Sequence, residues 1–133
     1  MDFIVLVLMS MVVFLGVDLL WLVKIAPKMY KKFIGHLMAP KFNGIAALLF
    51  YSMFMVGFVF FVVQPGIISG SWTTTLGLAA MFGMVTYGTY DLTNWATLKD
   101  WPAAIVAIDM VWGTFLSSAS ALIVFVLANW WGI

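Results

Sequence analysis

Three aspartates lie inside long apolar stretches of the chain, where charged side chains are rarely found. They are Asp18, Asp91 and Asp109, three of the five acidic residues in the sequence. Placing a carboxylate in the hydrocarbon of a bilayer costs roughly 3 kcal/mol or more. An acid inside the membrane is therefore interpreted first as part of a functional site. The alternative is that each acid only hydrogen-bonds across helices and holds them together.

The spacing along the chain predicts that the three acids lie at one depth. Each lies six to eight residues from the residue that bounds its apolar stretch on the lysine-bearing side: Asp18 from Lys24, Asp91 from Lys99 and Asp109 from Pro102. At a rise of about 1.5 Å per helical residue, all three lie roughly 9–12 Å from the same membrane boundary. They can meet only if each of them faces the interior of a helix bundle.

Polar and aromatic side chains accompany the acids at helical spacing. The candidate residues for binding a ligand or a proton are Asp18, Asp91, Asp109, Asn94, Tyr87, Tyr90, Trp21, Trp95 and Trp112. Carboxyl groups that are close together and poorly hydrated cannot all ionise, so this layer is expected to hold a proton near neutral pH. The aromatic rings could enclose an organic cation. No catalytic residue is assigned.

The composition is that of a membrane protein. Of the 133 residues, 65% are hydrophobic and 8% are charged, and the mean hydropathy is +1.15. The chain has no Cys, no Arg and no Glu, which argues against disulfides, thiolate metal sites and nucleic-acid recognition. Because there is no phosphate loop, no Asp-rich metal motif and a single histidine outside the apolar stretches, no cofactor and no metal are predicted.

Four apolar stretches are long enough to cross a membrane, which takes about 20 residues. They cover about 3–23, 44–63, 73–98 and 102–130, and the second is expected to stop at Gln64-Pro65-Gly66. The predicted fold is all-α, a polytopic membrane protein whose four-transmembrane-helix bundle forms one domain, 1–133. The second span has few polar groups, so it is expected to face lipid or a subunit contact, and a homo-oligomer is a candidate assembly.

All six lysines fall between the first and second spans or between the third and fourth. Positively charged loops stay in the cytoplasm, so both termini are predicted to lie outside it. The segment at about 27–38 is amphipathic and is predicted to lie in the interface of the bilayer. There Lys28, Lys31 and Lys32 would contact anionic lipid headgroups. The alternative is that these lysines only fix the topology.

One long motif resembles a known family. The stretch from Thr89 to Pro102, TYDLTNWATLKDWP, is similar to the signature of an uncharacterised family of small four-span bacterial membrane proteins. The similarity extends to Asp18-Leu19-Leu20-Trp21 and to Asp109-Met110-Val111-Trp112. The resemblance implies four transmembrane helices and a place in the bacterial inner membrane. It supplies no functional residues.

Three functions fit these residues. The first is proton-linked transport or binding of a small or cationic ligand, which the acid layer and the aromatic residues favour. The second is a non-catalytic accessory or sensor subunit of the membrane. The third is an intramembrane enzyme that modifies lipid with paired carboxyl groups as general acid and base. The chain offers no Ser–His or Cys nucleophile pair for that chemistry, so an enzyme is the least favoured of the three.

Overall fold

The computed structural model describes residues 2–133, which fold into four long helices with no strand in that range. The first and second helices run over Phe3–Leu37 and Gly44–Ser69, and the third and fourth over Trp72–Thr97 and Ala103–Trp131. The end of the bundle that carries the loops 38–43 and 98–102 is called the lysine side below, because Lys41 and Lys99 lie in those loops.

Three of the four helices have the length and composition of membrane spans. The first, second and fourth are long and apolar enough to cross a bilayer. The third is more polar, but its 26 residues extend over about 39 Å at a rise of about 1.5 Å per residue, which exceeds a hydrocarbon core of about 30 Å. The predicted all-α membrane bundle is confirmed.

Side chains next to the helices fix where three of the four begin. Asp2 accepts hydrogen bonds from the backbone N–H groups of Ile4 and Val5 at the start of the first helix. Asn43 and Ser71 cap the second and third helices in the same way. These oxygens satisfy N–H groups that have no partner within a helix. The short loops and the caps together predict an antiparallel order of neighbouring helices, which brings the lysine-bearing loops to one side.

The first and second helices continue through the points where the sequence predicts that they stop. Each contains one π-helical turn, Trp21–Ile25 in the first and Val59–Val63 in the second. In each case a proline, Pro27 or Pro65, follows two residues after the turn. The wider turn shifts the hydrogen-bond register just before the proline ring, which lacks an N–H and would otherwise clash with the preceding turn. The predicted stop at Gln64-Pro65-Gly66 is therefore wrong, and the helix ends at Ser69.

The two halves of the second helix differ in burial. Toward the side opposite the lysines it packs into the core, with Phe58, Val59 and Val62 almost fully buried. On the lysine side its residues 44–50 are exposed apart from one half-buried alanine. The prediction that this span faces lipid or a subunit fits only the half on the lysine side. Over residues 44–50 the helix therefore buries little of its surface against the bundle.

The third and fourth helices touch at two glycines. A Cβ atom on Gly83 would lie 2.5 Å from the carbonyl oxygen of Gly113, and one on Gly113 would lie 2.2 Å from Cγ of Tyr87. Both distances are too short for any other residue type. Small residues at such a crossing let membrane helices approach closely. The contact fixes Tyr87 against the backbone of the fourth helix, next to Asp109.

We expect Gly83→Ala to lower the free energy of unfolding by about 1–3 kcal/mol, because the new methyl group meets backbone that cannot move aside. Gly77→Ala is the matched control, since Gly77 lies on the same helix with no atom within 4 Å of a Cβ. That variant should be neutral or slightly stabilising. Thermal unfolding in a mild non-ionic detergent measures both, and equal melting temperatures would contradict the close crossing.

Candidate functional site

All three membrane aspartates face the interior of the bundle. Their side chains are 4%, 0% and 3% exposed for Asp18, Asp91 and Asp109. On the first helix, Leu6, Ser10, Phe14 and Asp18 are the buried residues of one stripe with a spacing of four. The fourth helix buries Asp109 on the same stripe as Gly113 and Ser117. No aspartate of the layer is exposed to lipid.

Asp91 and Asp109 form a pair. Their carboxyl groups lie within hydrogen-bonding reach of each other, and the Tyr30 hydroxyl donates a hydrogen bond to Asp109 Oδ1 at 2.5 Å. Both oxygens of Asp91 are buried and have no donor nearby. Two carboxylates contain only acceptors, so the pair becomes a hydrogen bond only when one acid carries a proton. The donor from Tyr30 assigns the charge to Asp109 and the proton to Asp91 when the pair holds one proton.

Asp18 occupies a separate position. It accepts hydrogen bonds from the Trp112 indole N–H at 3.1 Å and from the Tyr51 hydroxyl at 3.4 Å. The Trp112 ring in turn stacks on Trp21, with the ring centroids 4.6 Å apart and the planes 8° from parallel. Both oxygens of Asp18 thus have a donor, so this acid can keep its charge without sharing a proton.

Tyr87 packs against the fourth helix and lines the cavity beside Asp109. Its side chain is held by Gly113, and its hydroxyl is close enough to all three aspartates to interact with each of them. In residues 2–133, no three His, Asp or Glu side chains lie close enough together to hold a metal ion. The three acids therefore do not meet at one point. The acid layer therefore comprises two sites, Asp91–Asp109 and Asp18.

A cavity of about 300 Å³ opens beside Asp109. Its walls are aromatic except for one threonine and the carboxyl group, and they comprise Tyr30, Phe50, Phe54, Thr86, Tyr87, Tyr90 and Asp109. The second and third helices supply most of the lining, while Tyr30 comes from the first helix. The volume lies at the lower end of small-molecule pockets. Aromatic walls around one carboxylate match the chemistry of an organic cation.

Not every predicted residue reaches this cavity. Trp95 is 52% exposed and turns away from the acids. Asn94 is half-buried and lies near the hydroxyl of Tyr90 rather than against an acid. Trp21 and Trp112 serve Asp18 and line a shallower hollow on another face. Lys28, Lys31 and Lys32 are exposed on the lysine side, and their contact with lipid headgroups stays a prediction.

Several contributors to the site were not among the residues predicted from the sequence. Tyr30 and Tyr51 donate to the acids, and Phe50 and Phe54 line the cavity. Tyr30 lies on the apolar face of the segment predicted to rest on the membrane surface. Its position depends on the first helix continuing through the π turn before Pro27, which the sequence did not predict. Tyr51 lies in an apolar span with few polar groups, and its spacing gives no indication that it reaches an acid.

Three buried serines extend the polar interior away from the acids. The hydroxyls of Ser10, Ser117 and Ser120 have no hydrogen-bond partner. Threonines of the same bundle behave differently, since Thr86 and Thr114 donate to the carbonyl groups of Phe82 and Met110 one turn earlier. On the fourth helix the serines lie roughly 12–16 Å from Asp109 at about 1.5 Å per residue. They continue its polar face toward the side opposite the lysines.

A protein-family model matches nearly the whole chain. Residues 3–126 match the model of the family described as "Predicted membrane protein (DUF2177)". The chain belongs to the DUF2177 family. This confirms the resemblance seen in the sequence, and the match includes every residue of the acid pair and the cavity. No curated protein and no solved structure matches the chain.

The two tyrosine donors predict a graded effect on stability. Tyr30→Phe removes the short bond to Asp109 and should cost about 1–3 kcal/mol, because a buried acceptor is left with one donor fewer. Tyr51→Phe is the matched change at the longer bond to Asp18 and should cost less than about 1 kcal/mol. Thermal unfolding of both variants in the same detergent tests this order, and the reverse order would contradict the assigned contacts.

The proton on Asp91 predicts that an amide can replace it. Asp91→Asn keeps a donor for Asp109 in nearly the same place, so its free energy of unfolding should lie within about 1 kcal/mol of the wild type. Asp91→Leu has a similar size but no donor and should lose about 1–3 kcal/mol. Unfolding of the three proteins at neutral pH makes the comparison. An equal loss in both variants would show that the Asp91 carboxyl is not a donor to Asp109.

Proposed function

We propose that the protein is a proton-linked carrier of small organic cations, and that the cation binds in the aromatic cavity against Asp109. The observation that carries the proposal is the composition of the cavity wall. Five aromatic rings surround one carboxyl group, and no other charged side chain lines the space. Each ring face contributes about 0.5–2 kcal/mol toward a cation that has left water, and the carboxylate supplies the opposite charge.

The acid pair supports the link to protons. A net charge is costly at this depth in the membrane, so the site stays closest to neutral when Asp109 holds either a proton or a cation. The proton on Asp91 is then structural, since the bond to Asp109 requires it, and the proton on Asp109 is exchangeable. Cation and proton compete for the same oxygen atoms, which is the elementary step of exchange across a membrane.

The arrangement in the membrane follows from the lysines. All six lie in or next to the segments between the first and second or the third and fourth spans, which supports a cytoplasmic lysine side and external termini. The resemblance to small bacterial four-span proteins supports a location in the bacterial inner membrane. Lys28, Lys31 and Lys32 would contact anionic headgroups there. Four helices enclose little space, so alternating access is proposed to need a second copy of the chain.

Binding of decyltrimethylammonium tests the proposal, because this cation has no proton of its own and any pH dependence belongs to the protein. The purified protein in a maltoside detergent should bind it, and binding should weaken as the pH falls, since protonation of Asp109 displaces the cation. Equilibrium dialysis gives the Kd at each pH. Asp109→Asn should raise the Kd at least tenfold and remove the pH dependence.

Asp100→Asn is the matched control for charge. Asp100 is exposed in the loop between the third and fourth helices, with a φ of 63° that Asn also tolerates. It should leave binding and its pH dependence unchanged. Equal binding by the wild type and Asp109→Asn would refute the proposed site. Binding that depends on Asp109 without cation flux in proteoliposomes would instead favour the sensor or accessory function.

A further inference from the structure

The cavity is open toward the bilayer. On the lysine side the second helix is exposed on most of its surface, with Ile45 75% and Leu48 67% exposed. Two rings of the cavity lining, Phe50 of the second helix and Tyr90 of the third, are 47% and 56% exposed. Further along the second helix, Phe54 and Phe58 are buried. The exposed part of the cavity lining therefore lies between the second and third helices, on the lysine side.

The rim of this opening is apolar. No lysine lines the cavity, and its single charged group, Asp109, lies at the bottom with an exposure of 3%. A small hydrated cation that came from water would have to lose its hydration shell before it met any opposite charge. A cation already dissolved in the bilayer would pass only apolar and aromatic groups. Its head rests at the interface of the bilayer and would move roughly 10 Å inward along the cavity to reach Asp109.

The size of the cavity sets a second condition. A cavity of about 300 Å³ lies at the lower end of small-molecule pockets, so it takes a quaternary ammonium head and the first part of a tail, and the rest of a long alkyl chain extends beyond it. Such a chain has only one way to continue, through the gap beside Phe50 and Tyr90 into the lipid. There it would lie along the exposed apolar face of the second helix.

From these observations we infer that the ligand is an amphiphilic cation whose head enters sideways from the leaflet on the lysine side, while its apolar tail stays in the bilayer between the second and third helices. The inference rests on the proposed function, and it adds the class of substrate and the route by which it reaches the site. The tail is recognised by the exposed apolar face, and the head by the aromatic rings and Asp109.

Two cations with the same kind of head and different tails test the inference. Tetramethylammonium and decyltrimethylammonium are each dialysed against the protein in lipid nanodiscs, with Asp109→Asn nanodiscs to subtract partitioning into lipid. After this subtraction, the Kd of the decyl compound should be at least tenfold lower than that of tetramethylammonium. Equal Asp109-dependent affinities would overturn the inference and leave the proposed function standing. If neither cation binds in an Asp109-dependent way, the proposed function itself fails.

A photoreactive tail locates the route. A decyltrimethylammonium analogue with a diazirine in the middle of its chain should label Leu48, Leu49, Phe50 or Tyr90 when irradiated in nanodiscs. Asp109→Asn should reduce that labelling at least tenfold. Labelling around Val111 and Phe115, on an exposed face of the fourth helix outside the cavity, should be weak and unaffected by the substitution. Asp109-dependent labelling on the fourth helix instead of at the gap would overturn the lateral route.

Discussion

The cost of placing carboxyl groups in hydrocarbon governs this structure. Each of the three acids avoids part of that cost differently. Asp18 receives two donors from Trp112 and Tyr51, Asp109 receives one from Tyr30, and Asp91 has none. An acid without donors in a buried site is tolerated when it is itself a donor, which requires a proton. The arrangement of the bundle on the lysine side can be understood as the means of supplying these partners.

Two local features of the backbone bring the partners into place. The π turn at Trp21–Ile25 lets the first helix continue past Pro27, so that Tyr30 reaches Asp109 instead of lying on the membrane surface. The glycines at the crossing of the third and fourth helices let Tyr87 pack directly on Gly113. A residue with a side chain at either glycine would separate the two helices and, with them, Asp91 and Asp109. The irregular turn and the missing side chains therefore serve the same acid pair.

Much of this could be predicted from the sequence, and the rest could not for definite reasons. The length of the apolar stretches predicts the four helices, and the rise per residue predicts a common depth for Asp18, Asp91 and Asp109. Spacing does not determine how helices are rotated around one another, so the division of the layer into a pair and a separate acid was not foreseen.

The sequence predicts that the helix stops at Gln64-Pro65-Gly66, because proline and glycine usually end a helix. The π turn changes the hydrogen-bond register without changing the hydropathy, so the sequence does not reveal it. Tyr30 and Phe50 were missed for a related reason. Each lies on a surface that looks lipid-facing until the neighbouring helix is placed.

The central claim is that Asp109 holds either a proton or a cation. It is tested most directly by counting the protons released when decyltrimethylammonium binds to the purified protein in weakly buffered solution. The account predicts release of up to one proton per bound cation in the wild type, and none in Asp109→Asn. Binding of the cation to the wild type without any proton release, from mildly acidic to mildly alkaline pH, would contradict it.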